Sequence, residues 1–189
     1  QGLWGELWTL REVVAPAVGF GAAARAWRGP LGADQDIQLP GAALEIKTST
    51  AHAFERVLIA SERQLDVASD IVLALIALSL DARPSHGETL PEMVQSIRAR
   101  AAAAGCQQLI DERLLLFGYK LEDADSYADL GYMVRSRLQF RIQYDFPRII
   151  PADLRGGVGE VRYSFAIAAC ARFEMSGEEL GELLRVGGL

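Results

Sequence analysis

The sequence predicts an α/β (α+β) protein, a mixed central sheet flanked by helices, and three features carry that prediction. Gly2–Val14 places apolar residues at helical spacing. Ile71–Leu80 is an apolar run interrupted by Ser79 alone, too short to span a membrane and suited to a strand buried on both faces. Tyr132–Asp145 and Val161–Phe173 alternate apolar and polar side chains, which is the period of a strand with two unlike faces.

The elements follow in order. After the first helix comes a loop rich in Gly and Ala that carries Trp27. Short strands are expected near Asp36–Leu39, Leu44–Thr48 and Arg56–Ala60. Ser61–Val67 reads as a short helical turn that leads into a long strand, Asp70–Leu80. Asp81–Glu88 contains Pro84 and Gly87 and reads as a turn. Pro91 suits the first turn of a helix running to Ala104, which Gly105 would end; a second helix, Cys106–Phe117, would end at Gly118. The two late alternating segments form a strand pair on or beside the same sheet. An irregular link through Phe146-Pro147-Arg148 and Pro151-Ala152-Asp153 joins them, and Ser176–Leu184 closes the chain as a short helix. With no internal repeat or linker in view, residues 1–189 are expected to form one domain.

Composition narrows the class. Of the 189 residues, 50% are hydrophobic and 23% charged, a balance that suits a folded globular domain. No stretch is long and apolar enough for a membrane helix, and no basic leader with a cleavage site opens the chain, so a cytoplasmic location is expected. The chain starts at Gln1 inside the first helix pattern, and a natural N-terminal region is expected upstream. Cys106 and Cys170 stand far apart with no Cys/His cluster, which argues against zinc and makes Cys170 a small core residue. The net charge of −6 argues against a broad nucleic-acid surface, though a local basic patch would suffice; Arg56 and Arg63, then Arg98, Arg100, Arg135, Arg137 and Arg141, are its candidates.

The most informative stretch is Asp36-Ile37-Gln38-Leu39-Pro40-Gly41-Ala42-Ala43-Leu44-Glu45-Ile46-Lys47. Side chains alternate along a strand, so Leu44 and Ile46 point one way and Glu45 and Lys47 the other. If Pro40-Gly41 is a two-residue loop, Leu39 faces Ala42 and Asp36 falls opposite Glu45. Like charges directly opposite each other on a sheet are destabilising, and a divalent cation would offset that cost. Hard oxygen ligands suit Mg²⁺ or Mn²⁺, and a lysine beside them could orient water or stabilise charge developing at phosphorus. The competing reading is a solvated charged hairpin in which Asp34 pairs with Lys47.

Further residues bear on the choice. Glu6 has Leu3, Leu10 and Val13 at helical spacing, so it either meets a metal or snorkels to solvent from the edge of an apolar face. Ser61 and Gln64 have capping-box spacing; Gln64 either caps the helix or approaches the carboxylates. Thr48 and Ser49 follow Lys47 and could bind a DNA phosphate. His52, in a polar loop, is expected to be exposed rather than catalytic.

These residues resemble the PD-(D/E)XK motif, with Asp36 as its aspartate, Glu45 as its acid, Lys47 as its lysine and Gln35 where the proline would stand. Four blocks, Gly2–Leu7, Leu44–Thr48, Ser61–Leu65 and Asp145–Arg148, resemble a bacterial PD-(D/E)XK family of unknown function. The resemblance implies a restriction endonuclease-like αβββαβ core at about 1–104, with a family-specific extension at about 105–189 that holds the late strand pair. It implies Asp36 and Glu45 as ligands of Mg²⁺ (or Mn²⁺), Glu6 as an accessory ligand and Lys47 positioning the attacking water. Gln64 would support water or substrate, and Thr48, Ser49, Arg56 and Arg63 would touch DNA. The implied activity is metal-dependent DNA cleavage in restriction or phage defence, as a homodimer or with defence-system subunits. The alternative is a non-catalytic DNA-binding or assembly subunit of a defence complex.

Overall fold

The computed structural model describes residues 1–52, 54–66 and 70–186. The N-terminal helix is continuous: α1 (Gly2–Thr9) passes through a π-helical segment, Leu10–Val14, into α2 (Ala15–Val18). The stretch expected to be loop is instead helical, with α3 at Phe20–Ala26 and a 3-10 turn at Gly29–Leu31. Strands β1 (Ile37–Leu39), β2 (Ala42–Ser49), β3 (Arg56–Ile59), β4 (Val72–Pro84) and β5 (Glu88–Thr89) precede α4 (Leu90–Ala103) and α5 (Gln107–Phe117). β6 (Leu130–Arg141), β7 (Tyr163–Ala166) and α6 (Gly177–Val186) complete the order.

Five strands form one mixed sheet in the order β1-β2-β4-β6-β5, in which only β2 and β4 run parallel. β4 lies between β2 and β6, and its apolar run divides by alternation. Ala74, Ile76, Leu78 and Leu80 pack toward the helices, with Leu7, Leu10, Met93 and Ile97. Leu73, Leu75 and Ala77 pack the other way, with Val57, Ile59, Phe140 and Phe165. This double burial is why the run reads as continuous rather than alternating. Cys170 is buried in the second layer, as its apolar context implies.

The mixed sheet flanked by helices agrees with the predicted class; besides α3, β4 runs on to Pro84 through the first half of the Asp81–Glu88 stretch read as a turn, and three further details differ. β3 does not join the main sheet; it pairs antiparallel with β7 in a separate ribbon that covers the second face. The late segments are therefore not a pair with each other. β6 adds to β4 in the main sheet, while the Val161–Phe173 segment yields only the four residues of β7 before a 3-10 stretch, Ile167–Phe173. The partner of a short strand is set by which apolar face it must cover, and that is not a local property.

The third difference is at Ser61–Val67, where Ser61–Asp66 forms turns and no helix; Val67 lies outside the described residues. The buried Gln35 explains this. Its Nε2 donates to the carbonyls of Arg63 (3.1 Å), Gln64 (3.4 Å) and Asp66 (3.0 Å), which fixes those groups on a side chain instead of a helical ladder.

α1 seats closely on β2. A Cβ added to Gly5 would lie 2.2 Å from Thr48 Cγ2. Gly5→Val should therefore destabilise the protein by about 1–3 kcal/mol, the usual cost of overpacking. Urea unfolding measures this, and an unchanged midpoint would mean that α1 does not seat on β2 there.

Candidate active site

The hairpin has the register that period-two alternation demands. Ile37 faces Leu44, Gln38 faces Ala43 and Leu39 faces Ala42, with Pro40-Gly41 as the turn and Gly41 at φ 75°. Continuing that register by one residue sets Asp36 against Glu45. β1 ends there, so the edge of β2 beyond Leu44 lacks a strand partner on that side. Asp36 meets this edge with its side chain: Oδ2 accepts the Ile46 N–H at 2.7 Å.

Three carboxylates gather at this edge from three directions. Glu6 comes from α1 and is 8% exposed; its Oε2 accepts the Trp27 Nε1–H at 2.8 Å. Asp36 comes from the start of the hairpin. Glu45 comes from the ribbon-facing side of β2, is 1% exposed, and has Oε1 2.7 Å from Lys47 Nζ. Each acid thus has one oxygen fixed by the fold. Glu45 Oε2 is buried with no hydrogen-bond partner among the described residues. A Cβ on Gly29 would sit 2.9 Å from Glu6 Oε2 and 3.1 Å from Asp36 Oδ1, so both oxygens crowd one glycine.

The electrostatics follow from burial. Desolvation, then the charge of Asp36, push the Glu6 carboxyl up to about 8, against Trp27 and Lys47, which lower it. Desolvation pushes Asp36 up to about 6, opposed by the Ile46 N–H and Lys47. Glu45 is raised well above its ordinary value by burial first and by Asp36 next, with Lys47 opposing. One ammonium therefore faces three acids that burial disfavours as anions.

Lys47 Nζ also donates to Gln64 Oε1 at 3.1 Å, and the same oxygen accepts the Ala60 N–H at 2.9 Å. Gln64 is therefore brought to the site by a turn, its side chain taking the Ala60 N–H in place of the Ser61 N–H that a capping box would offer. Arg148 donates to the Leu65 carbonyl, and Glu62 accepts the Val161 N–H at 2.8 Å, so the same turn is tied to the 146–162 link.

The remaining candidates lie elsewhere. Thr48 is on the helix-facing side of β2 with its methyl against Gly5. Ser49 Oγ accepts the Ala51 N–H at 3.2 Å and closes the local turn. Arg56 ties β3 to β7 through Ser164 Oγ (2.8 Å) and its carbonyl (2.9 Å). The Arg63 side chain is exposed on the turn that presents Gln64, and His52 is exposed as expected. Arg98 pairs with Asp111 at 2.6 Å, and Arg135 bonds Ala51 O and Asp81. Asp34 is exposed, while Lys47 binds Glu45, so the solvated-hairpin reading does not hold. Sequence reasoning missed Trp27 and Gln35, whose partners lie 21 and 28–31 positions away.

The donor set fits a hard divalent ion: carboxylate oxygens only, one of them buried without a partner. Among the described residues no three His, Cys, Asp or Glu side chains converge tightly enough to hold an ion by themselves. Two carboxylates with waters completing the shell is the arrangement Mg²⁺ tolerates. A cavity of about 380 Å³ lies elsewhere, lined by Leu114, Tyr119 and Leu121 on and beyond α5; its Asp111 is already paired with Arg98.

A family model described as "Putative PD-(D/E)XK family member, (DUF4420)" matches residues 1–168. No curated protein and no solved structure matches the chain.

The raised carboxyls set a pH dependence. The folded protein holds protons on Glu6 and Asp36 that the unfolded chain, near 4.5 and 3.8, has already lost. The part of the metal-free stability that depends on these two protons should therefore be fully present below about pH 4 and be lost as pH rises through about 6 and 8. Glu6→Gln keeps an acceptor for Trp27 and removes the charge. It should flatten that decline and raise Tm at pH 9 by about 2–4 °C, the shift that ~1 kcal/mol gives in a chain of this size. Calorimetry across pH tests this; an equally steep decline in the variant would show that Glu6 is not strained by its surroundings.

Proposed function

The chain belongs to the PD-(D/E)XK family, and on that footing we propose that it is a metal-dependent deoxyribonuclease that hydrolyses phosphodiester bonds. The observation that carries the reading is the buried Glu45 with one oxygen on Lys47 and the other without a partner. A structural ion pair would have both oxygens satisfied or exposed, because an unpaired buried acceptor costs stability.

In this reading the Glu45 and Asp36 carboxylates would hold Mg²⁺ or Mn²⁺, and Glu6 would lend negative charge from α1 as an accessory ligand. When bound, the ion polarises a phosphoryl oxygen and lowers the pKa of water. The chain's own groups do the positioning. Lys47 Nζ, aimed by Gln64 Oε1, orients the attacking water and faces the charge that builds at phosphorus. The water oxygen bonds to phosphorus, the bond to the leaving sugar oxygen breaks, and that oxygen takes a proton while the attacking water loses one. Asp36 is held by the Ile46 N–H and Glu6 by Trp27, so neither must reorganise when the charge develops.

DNA as substrate, the cytoplasm as location and a place in a bacterial restriction or phage-defence system complete the proposal, with a homodimer or defence-system subunits as partners. Residues 1–189 would act as one domain. Two free cysteines suit a reducing compartment, and among the described residues no helix is long and apolar enough to cross a membrane. With the net charge at −6, grip on DNA would come from a local patch such as exposed Arg63, or from a partner.

The test is nicking of supercoiled plasmid in Mn²⁺ and in Mg²⁺. Wild type should nick, and Glu45→Gln and Lys47→Ala should each slow nicking by about 100-fold or more while remaining folded. A folded Glu45→Gln protein that nicks at the wild-type rate defeats the assignment. Mn²⁺ binding without any nicking moves the weight to a DNA-binding subunit that kept its ion.

A further inference from the structure

Tyr163 opens β7 and faces Ile59 across the ribbon. The residue after Ile59 is Ala60, whose N–H is bound by Gln64 Oε1, the oxygen that also receives Lys47 Nζ. Tyr163 therefore stands at the end of the ribbon that touches the Gln64–Lys47–Glu45 chain.

The layers agree with that placement. Val57, Ile59 and Phe165 turn their side chains toward Ala43, Leu73, Leu75 and Ala77 of the sheet, and Tyr163 packs on the same cluster. Its ring lies 6.4 Å from that of Phe165. Glu45 alternates with Leu44 and Ile46 along β2 and so shares the face of Ala43. The phenol and the Glu45 carboxylate enter one layer from opposite sides.

Both bring an unmet polar atom into it. Tyr163 Oη and Glu45 Oε2 are buried without a hydrogen-bond partner among the described residues. Burial does most to raise the phenol's pKa, and the charges of Asp153 and Glu45 add to it. The Ile149 N–H and Arg148 oppose the rise, although that N–H completes no hydrogen bond to the phenol oxygen. A buried hydroxyl without a partner costs stability, and Phe would fill the same space without that cost. The sequence nevertheless has Tyr there.

We propose that the Tyr163 hydroxyl is a positioning group of this site, hydrogen-bonded to a water held with the divalent ion at Glu45. This rests on the reading that a cation binds at Glu45 and Asp36. Groups that hydrogen-bond the shell of a bound metal commonly change its affinity about 10–100-fold when removed.

The experiment compares wild type and Tyr163→Phe, metal-free and with Mn²⁺. Calorimetric titration should show Mn²⁺ affinity weakened by about 10-fold in the variant, the lower end of that range. Without metal, Tm of the variant should be equal to or above wild type, because the hydroxyl has no partner to lose. A hydroxyl with only a structural role would give the reverse pattern: lower metal-free Tm and unchanged Mn²⁺ affinity. Unchanged affinity overturns the proposal whether or not the protein cleaves DNA. Wild type that fails to bind Mn²⁺ overturns both this proposal and the nuclease reading. Wild type that binds Mn²⁺ but leaves plasmid intact counts against the nuclease reading alone, and the affinity comparison still decides the role of Tyr163.

Discussion

Three carboxylates, Glu6 and Glu45 buried and Asp36 half-buried, share the edge of one strand with the Lys47 ammonium, and the surrounding structure serves to hold them there. Left to themselves, Glu6, Asp36 and Glu45 would separate or take up protons, and all three show raised carboxyl pKa values. They stay because each is tied by one oxygen: Glu6 to Trp27 just past α3, and Asp36 and Glu45 to the Ile46 N–H and Lys47 of β2. The elements that supply these ties are bound in turn by the two apolar layers on either side of β4. The energy of the core is thus set against electrostatic strain at one edge, as is common where a site must bind charge.

The turn after β3 shows how this arrangement is assembled. Gln35 sits beside Asp36 in sequence, is 6% exposed, and gathers three carbonyls of the Arg63–Asp66 turn onto its amide. The turn then presents Gln64 to Lys47. Neighbouring residues therefore act at both ends of the site, Asp36 directly and Gln35 through Gln64. Gln35 stands where the family motif has proline, and proline has no side-chain amide for this work.

Much of the site was legible in the sequence because its signals are local. Strand alternation and Pro40-Gly41 give the register that sets Asp36 against Glu45, and helical spacing places Glu6 among apolar neighbours. What was hidden depends on distant partners. Nothing near Trp27 marks it as the donor to Glu6, and nothing near Tyr163 marks Ile59 as its neighbour across the ribbon. The helix expected at Ser61 failed for the same reason, since the amide that claims its carbonyls is almost thirty positions upstream. Thr48 was assigned to the substrate from adjacency to Lys47 alone. Alternation already placed it on the opposite face, and the structure packs it against α1.

Anomalous scattering from a crystal grown with Mn²⁺ tests, without reference to any substrate, whether an ion belongs between the acids. The expected result is a peak within coordination distance, about 2.0–2.2 Å, of Glu45 Oε2 and Asp36 Oδ1, with Lys47 still on Gln64. A fully occupied peak elsewhere, or none at this edge with all three carboxylates protonated and bonded to one another, would contradict it.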